Sequence, residues 1–472
     1  MGSKNDDSPA VVCLISLGCS KNTVDSECLL GALAQNGIMI AEDPSDADIA
    51  LVNTCGFIHD AREETAEMLE QLASLKATGK LKAVAALGCL VERVGDCPEL
   101  ASFLDAADAR VSFAEYPRLP EICRELVAGA KAQGTQKMFA YPHRPPPEFM
   151  RFLNSPRARI GSPHTAYLKI SEGCSNVCRF CSIPRIRGLQ VSRPMEELIV
   201  EAQALVNGGA REINLIAQDT TSYGRDLYGE ARIVQLLQKL SAAIPHAWIR
   251  MLYAYPAQLT DELMDLLASA PNLCPYLDLP LQHISDSMLK TMGRGMSRKQ
   301  TLDLLDRIRE RMPAGAIRTT FIVGFPGETE ANFAELLDLV REERLTHMGV
   351  FSYSPEPGTP AAKLSDDVPM EVKLARRDAL MKAQLEVSRS RLRKMIGQQV
   401  EVMIDGFVSK GAEAPRGTKA FGRSRLDAPE VDGLIFLKRY PNGAQPGDRF
   451  TAKITASLDY DLIATMDEEK GR

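Results

Sequence analysis

Gly173-Cys174-Ser175-Asn176-Val177-Cys178-Arg179-Phe180-Cys181 is the stretch around which the chain is organised, three cysteines with three and then two residues between them. Three thiolates can hold three irons of a [4Fe–4S] cluster, and the fourth iron is left open to a small molecule. The competing reading is zinc, which takes four protein ligands with pairwise Cys-x2-Cys spacing. No fourth Cys or His lies close by in the sequence.

Working outward, the stretch follows a β-rich run, Ala166–Ile170, and five more such runs come after it: Glu212–Ile216, Trp248–Leu252, Tyr276–Leu279, Arg318–Val323 and Met348–Tyr353. Helical periods separate them, such as Thr301–Met312, with Leu302, Leu305, Ile308 and Met312 on one face, and Glu330–Arg341. Six βα units predict a partial (β/α)6 barrel over residues 164–396, with chemistry beyond the carboxyl ends of its strands. The three cysteines follow the first strand and so occupy that position.

Residues 8–130 alternate in the same way on a smaller scale. Val11–Leu17, Ile49–Val52 and Ala83–Leu87 read as strands, and Thr23–Asn36 and His59–Ala77 as helices, which predicts a small parallel α/β domain. Each of these strands runs into a cysteine: Cys19, Cys55 and Cys89. The carboxyl ends of parallel strands share one edge, so three thiols distant in sequence are expected to converge.

Residues 131–163 turn to Gln, Lys, Arg and Pro, with Pro145-Pro146-Pro147 at the centre, and read as a linker. In 397–468 short alternating runs and the turn signals Pro441-Asn442-Gly443 and Pro446-Gly447-Asp448 predict a small antiparallel β-barrel. The fold class is therefore α/β: parallel domain, partial barrel, terminal β-barrel.

Eleven cysteines is an odd number, and no signal-peptide pattern opens the chain, so metal binding explains them better than disulfides and a cytoplasmic location is expected. No apolar run approaches a membrane span. The net charge of −6 is mild and interspersed, which is no global nucleic-acid footprint. From Gln399 to Arg472 there are 12 acidic and 11 basic residues, so the terminal barrel is not basic either. Cys13, Cys28, Cys97, Cys123, Cys274 and Trp248 are expected in cores, and Arg185 and Arg187 as solvated loop charges.

The Cys-x3-Cys-x2-Cys spacing, with Phe180 before its last cysteine, resembles the radical S-adenosylmethionine superfamily. That resemblance implies that S-adenosylmethionine chelates the open iron and is cleaved to a 5′-deoxyadenosyl radical. It also places cofactor contacts around Gln218 and Asp219, near Gln282 in Leu279-Pro280-Leu281-Gln282, and around Val323 in Ile322–Glu328. With the Cys19, Cys55 and Cys89 set and a terminal barrel similar to a TRAM domain, nearly the whole chain resembles the methylthiotransferase family. The resemblance implies a second [4Fe–4S] cluster on Cys19, Cys55 and Cys89, from which methylated sulfur is delivered to a substrate carbon radical.

Ile170–Cys174, Ile216–Gly224 and Tyr276–His283 look like the bacterial branch that methylthiolates the β-carbon of an aspartate in protein twelve of the small ribosomal subunit. The tRNA-adenosine branch usually differs in these places, and the near-neutral terminal barrel suits a basic protein better than a phosphate backbone. An external electron donor and a sulfur source are implied as partners. A non-enzymatic iron–sulfur electron carrier is the reading from another class, and it predicts no 5′-deoxyadenosine.

Overall fold

A computed structural model describes residues 9–79, 81–129, 143–409 and 411–466. In the amino-terminal domain, β1 (Val11–Ser16), β2 (Met39–Ala41), β3 (Ile49–Thr54), β4 (Ala83–Gly88) and β5 (Ala109–Val111) form one parallel sheet in the order β2-β1-β3-β4-β5. Every residue of β3 and β4 is buried, as expected of central parallel strands covered on both faces. One face carries α2 (His59–Ala77). The other face, with α1 (Ser20–Gln35), shares a core with the rest of the molecule: Val12, Leu29 and Leu51 lie in one cluster with Ile216, Trp248 and Tyr276.

The six barrel strands are parallel and run Thr165–Lys169, Glu212–Ile216, Trp248–Met251, Tyr276–Asp278, Ala316–Val323 and His347–Ser352. The first three pair with one another, as do the last three, and an Ile249–Leu273 bridge joins the halves. Outward residues such as Leu168, Ile213, Leu215 and Ile317 pack under the helices. The alternate, inward positions are rich in polar groups: Lys169, Glu212, Asn214, Arg250, Asp278 and Arg318. Capping boxes start the helices Arg298–Arg311 (Ser297 with Gln300) and Glu330–Arg341 (Thr329 with Asn332).

The predicted linker is only partly a linker. Residues 131–142 lie outside the described residues, and Pro147–Phe152 is a helix. Its Phe149 stacks on Phe113 at 4.8 Å between ring centroids and meets Tyr116 edge-on, so the segment is packed on the amino-terminal domain. The three-proline run hid it, because a helix of six residues carries little periodicity.

The terminal barrel is closed by five strands, Gln399–Phe407, Ala420–Arg423, Ile435–Leu437, Leu462–Thr465 and Arg449–Ser457 in spatial order. It departs from a purely antiparallel barrel at one place, where Ile435–Leu437 and Leu462–Thr465 pair in parallel. Ala420–Arg423 gave no strand signal in the sequence because it has no β-branched residue. Gly422 is needed there, since a Cβ would lie 2.0 Å from the Met403 carbonyl oxygen.

This barrel is held to the central one by buried charge. Arg423 donates to Glu212 (2.8 Å) and Asp405 (2.8 Å), Arg250 donates to the other Glu212 oxygen (2.8 Å), and His164 meets Asp405 at 2.8 Å. Burial alone would push the Glu212 carboxyl up, but the guanidiniums of Arg423 and Arg250 outweigh it and hold Glu212 below the usual range. Arg423→Met is expected to destabilise the protein by about 1–3 kcal/mol, because Glu212 and Asp405 each lose a charged hydrogen-bond partner and keep only Arg250 and His164. Denaturant unfolding measures that. The Glu212 contribution is complete above its ordinary value near ~4.3 and is lost as pH falls below it. Glu212→Gln should therefore flatten the acid limb of the stability profile.

Candidate cluster sites

Cys19, Cys55 and Cys89 follow β1, β3 and β4, which are adjacent in the sheet, with Ser16 opposite Asn53 and Thr54 opposite Gly88. Register alone brings the three thiols to one edge. The approach is close enough to require glycine. Gly18 has φ +90°, and a Cβ on it would stand 2.9 Å from Cys55 Cβ. Gly88 has φ +88°, and a Cβ there would lie 2.3 Å from Asn53 Oδ1. Cys19 caps α1 and Cys89 opens the helix Cys89–Asp96, so both meet helix amino termini, which favour anionic sulfur.

Cys174, Cys178 and Cys181 lie in the loop after the first barrel strand. Gly173 has φ +73° and is packed so tightly that a Cβ would be 2.5 Å from the carbonyl oxygens of Gly188 and Leu189. Cys174 N donates to Gly188 O (2.9 Å), Arg179 N to Met292 O (2.9 Å) and Ala361 N to Arg179 O (2.9 Å). Arg294 donates to Cys178 Sγ (3.2 Å) and stacks on Tyr255 at 4.4 Å. Phe180 packs with Met288, Met292, Phe325 and Tyr353, which anchors the loop through its one aromatic residue. Burial pushes the Cys174 thiol up to about 11 and the Cys89 thiol up to about 12. Metal binding would deprotonate both.

Among the described residues, the only Cys, His, Asp or Glu trio with ligand atoms all within 4.8 Å of one another is the exposed set His59, Asp60 and Glu63. A tetrahedral zinc ion with arms of about 2.3 Å would draw its thiolates to about 3.8 Å. Among the described residues neither cysteine trio meets that spacing, which suits a larger polynuclear cluster better than a single zinc ion.

The two trios are joined by a buried polar chain whose central residue, Arg187, the sequence reading assigned to solvent. Arg187, 3% exposed, donates Nε–H to Cys89 Sγ (3.3 Å), and its other nitrogens to Asn22 (2.6 Å), Asp25 (3.0 Å) and Glu172 (2.9 Å). Lys169 completes the group by pairing with Asp25 and with Glu172 (2.9 Å). Glu172 stands two residues before Cys174 and also accepts from Gly173 N (3.1 Å) and Gln218 (3.1 Å). Burial opposes ionisation of Glu172, but Arg187 and Lys169 hold its carboxyl well below the usual range. Two carboxylates and two cations balance, so the wall between the sites is rigid and neutral. Arg187→Met is expected to cost about 3–5 kcal/mol and to lower iron retention at the Cys89 side. Thermal unfolding and iron analysis check it. Arg185, by contrast, pairs with Asp96 (2.9 Å) at the surface of the amino-terminal domain.

The remaining expected contacts fall into distinct classes. Gln218 and Gln282 each leave a buried Oε1 with no hydrogen-bond partner among the described residues, and Gln282 adopts φ +72°. Such orphaned acceptors fit a polar ligand. Asp219 is taken up internally, accepting from Asn176 (2.9 Å) and Thr221 (3.0 Å). The Val323 side chain is buried in the layer beneath the helices and its carbonyl accepts from Tyr353 N (2.8 Å). His283 is buried, and its Nδ1 accepts the backbone N–H groups of Ile284 and Ser285 (2.9 and 3.0 Å).

Family models match all three regions: the uncharacterized protein family UPF0004 at residues 11–109, the radical SAM superfamily at 168–340 and the TRAM domain at 396–466. The ribosomal protein uS12 methylthiotransferase RimO of Anaeromyxobacter sp. (strain K) is 43% identical over 451 residues, covering 96% of this chain and 92% of that one. The chain belongs to the ribosomal protein uS12 methylthiotransferase family. A second member, RimO of Geobacter sulfurreducens, is 42% identical over 464 residues, 96% of this chain and 98% of its own. Among solved structures, the radical S-adenosylmethionine methyltransferase TsrM of Kitasatospora setae, with tryptophan and an S-adenosylmethionine analogue bound, matches with a TM-score of 0.55. It covers 86% of this chain and 80% of its own at 14% identity, which is a likeness of fold.

Proposed function

We propose that this chain inserts a methylthio group at the β-carbon of an aspartate in ribosomal protein uS12, by radical S-adenosylmethionine chemistry with two [4Fe–4S] clusters. The observation that carries this reading is the convergence of two cysteine trios on the two sides of one buried wall, in a chain over 40% identical to RimO proteins along nearly its whole length. Cys174, Cys178 and Cys181 would hold one cluster and Cys19, Cys55 and Cys89 the other. When bound, the first would supply an electron for cleavage of S-adenosylmethionine and the second would supply sulfur for transfer.

The protein's own work is positional. Gln218 and Gln282 would orient S-adenosylmethionine through their free Oε1 atoms, Asp219 would hold the cluster loop through Asn176, and Val323 would shape the far wall through its backbone. The wall of Asp25, Lys169, Glu172 and Arg187 would keep the two sulfur sites at a constant separation, where a shift of about 1 Å is costly. An external electron donor and an external sulfur source complete the reaction, and its place is the cytoplasm. None of the described helices is long and apolar enough to cross a membrane. Iron-reconstituted protein should add one methylthio group to isolated uS12, read by mass spectrometry. Modification of tRNA in place of uS12 would overturn the reading.

A further inference from the structure

Lys21 is the unexplained cation of the cleft. It lies two residues after Cys19 in the first turn of α1, is 6% exposed, and sits with Nζ 2.8 Å from the centre of the Tyr253 ring. Among the described residues no carboxylate oxygen lies within 4.0 Å of that nitrogen, and no hydrogen-bond acceptor is assigned to it. An ammonium so withdrawn from water is normally paired. The buried Lys169 has two carboxylates, whereas Lys21 has none.

Tyr253 follows the third barrel strand and is held in place at some cost. Its φ is +61°, uncommon for a bulky residue, and it is clamped by N–H donation to Asp278 (3.0 Å) and by Thr220 N donating to its carbonyl (3.0 Å). Its hydroxyl lies 3.4 Å from Ser20 Oγ. The nearby charged groups are already engaged: Asp278 with Tyr253 N–H and with Arg318 (3.8 Å), and Arg187 with Asp25 and Glu172. Lys21 therefore stands between the Cys19 edge and the carboxyl end of the third barrel strand with no carboxylate among the described residues in salt-bridge reach, its charge met by the Tyr253 ring and, at longer range, by Cys19 and Asp278.

We infer that Lys21 binds the side-chain carboxylate of the substrate aspartate and so selects aspartate over its amide. This rests on the proposed uS12 reaction. The reacting β-carbon is bonded directly to the carboxylate carbon, so a cation on the carboxylate oxygens fixes the β-carbon within one bond. An ammonium also discriminates well, because an uncharged amide would leave it unpaired in a cleft with little water.

The test compares a uS12 peptide carrying Asp at the target with one carrying Asn, on wild type, Lys21→Met and Lys21→Arg, each checked for iron content. Lys21→Met should raise KM for the Asp peptide by about 30-fold or more and collapse the preference for Asp over Asn, while Lys21→Arg keeps the preference. Unchanged discrimination in iron-loaded Lys21→Met overturns the inference. So does its loss in iron-loaded Lys21→Arg, which is the deciding variant should Lys21→Met fail to hold iron. A wild type inert on the Asp peptide would instead sink the uS12 reading itself.

Discussion

Cys181→Ala is expected to remove about four irons per chain and to lower 5′-deoxyadenosine formation from S-adenosylmethionine by at least about 10³-fold, about 4 kcal/mol in barrier. Two thiolates from Cys174 and Cys178 cannot hold a cubane with one open iron, and the loop offers no substitute. Asn176 is engaged with Asp219, and Ser175 with Gln190 N. The fold should survive, because the loop is anchored by Gly173, Arg179 and Phe180 rather than by Cys181. Iron analysis with chromatography of the nucleoside product checks this. Undiminished 5′-deoxyadenosine would show that the reactive cluster lies elsewhere.

Cys89→Ala should separate the two halves of the reaction. About four irons are again lost, but S-adenosylmethionine cleavage persists within a few-fold and methylthio transfer to uS12 falls below detection. The separation follows from geometry: Cys89 reaches the other site only through Arg187 and Glu172, and Glu172 keeps Lys169, Gly173 N and Gln218 as partners when Cys89 is gone. Truncation also leaves Arg187 Nε–H without an acceptor in a buried place, which costs about 1–3 kcal/mol and should lower the melting temperature. Equal loss of cleavage and transfer would mean that the trios act as one site. The same variant read by both assays distinguishes the roles without assuming either.

How the site was legible depends on the range of the interaction. Cys174, Cys178 and Cys181 lie in one loop, so their spacing is written in neighbouring residues. Cys19, Cys55 and Cys89 are far apart, yet each ends a strand, and parallel order carries that regularity into space. The barrel strand Glu212–Ile216 was readable to the residue because polar and apolar residues alternate along it, and the helix Glu330–Arg341 because its buried positions repeat with the helical period. Ala420–Arg423 was not, because its place comes from its neighbours.

Arg187 shows the opposite limit. In sequence it is an arginine in a short basic run, Arg185-Ile186-Arg187, and the two arginines look equivalent. In the fold Arg185 stays at the surface with Asp96, while Arg187 is enclosed by Asp25, Glu172 and Cys89. Lys21 is similar: nothing local distinguishes it from a solvated first-turn lysine until Tyr253 is placed over it.

From the sequence alone follow the three-part α/β architecture, both cysteine trios and the family, since periodicity and ligand spacing are properties of neighbouring residues. The tertiary structure alone decided that the amino-terminal domain shares a core with the barrel, that Arg187 and Glu172 link the two sulfur sites, and that Lys21 is buried against Tyr253 with no carboxylate among the described residues in reach. Burial and charge pairing are set by what packs over a residue, and partners such as Asp25 for Arg187 and Tyr253 for Lys21 lie far away in the sequence.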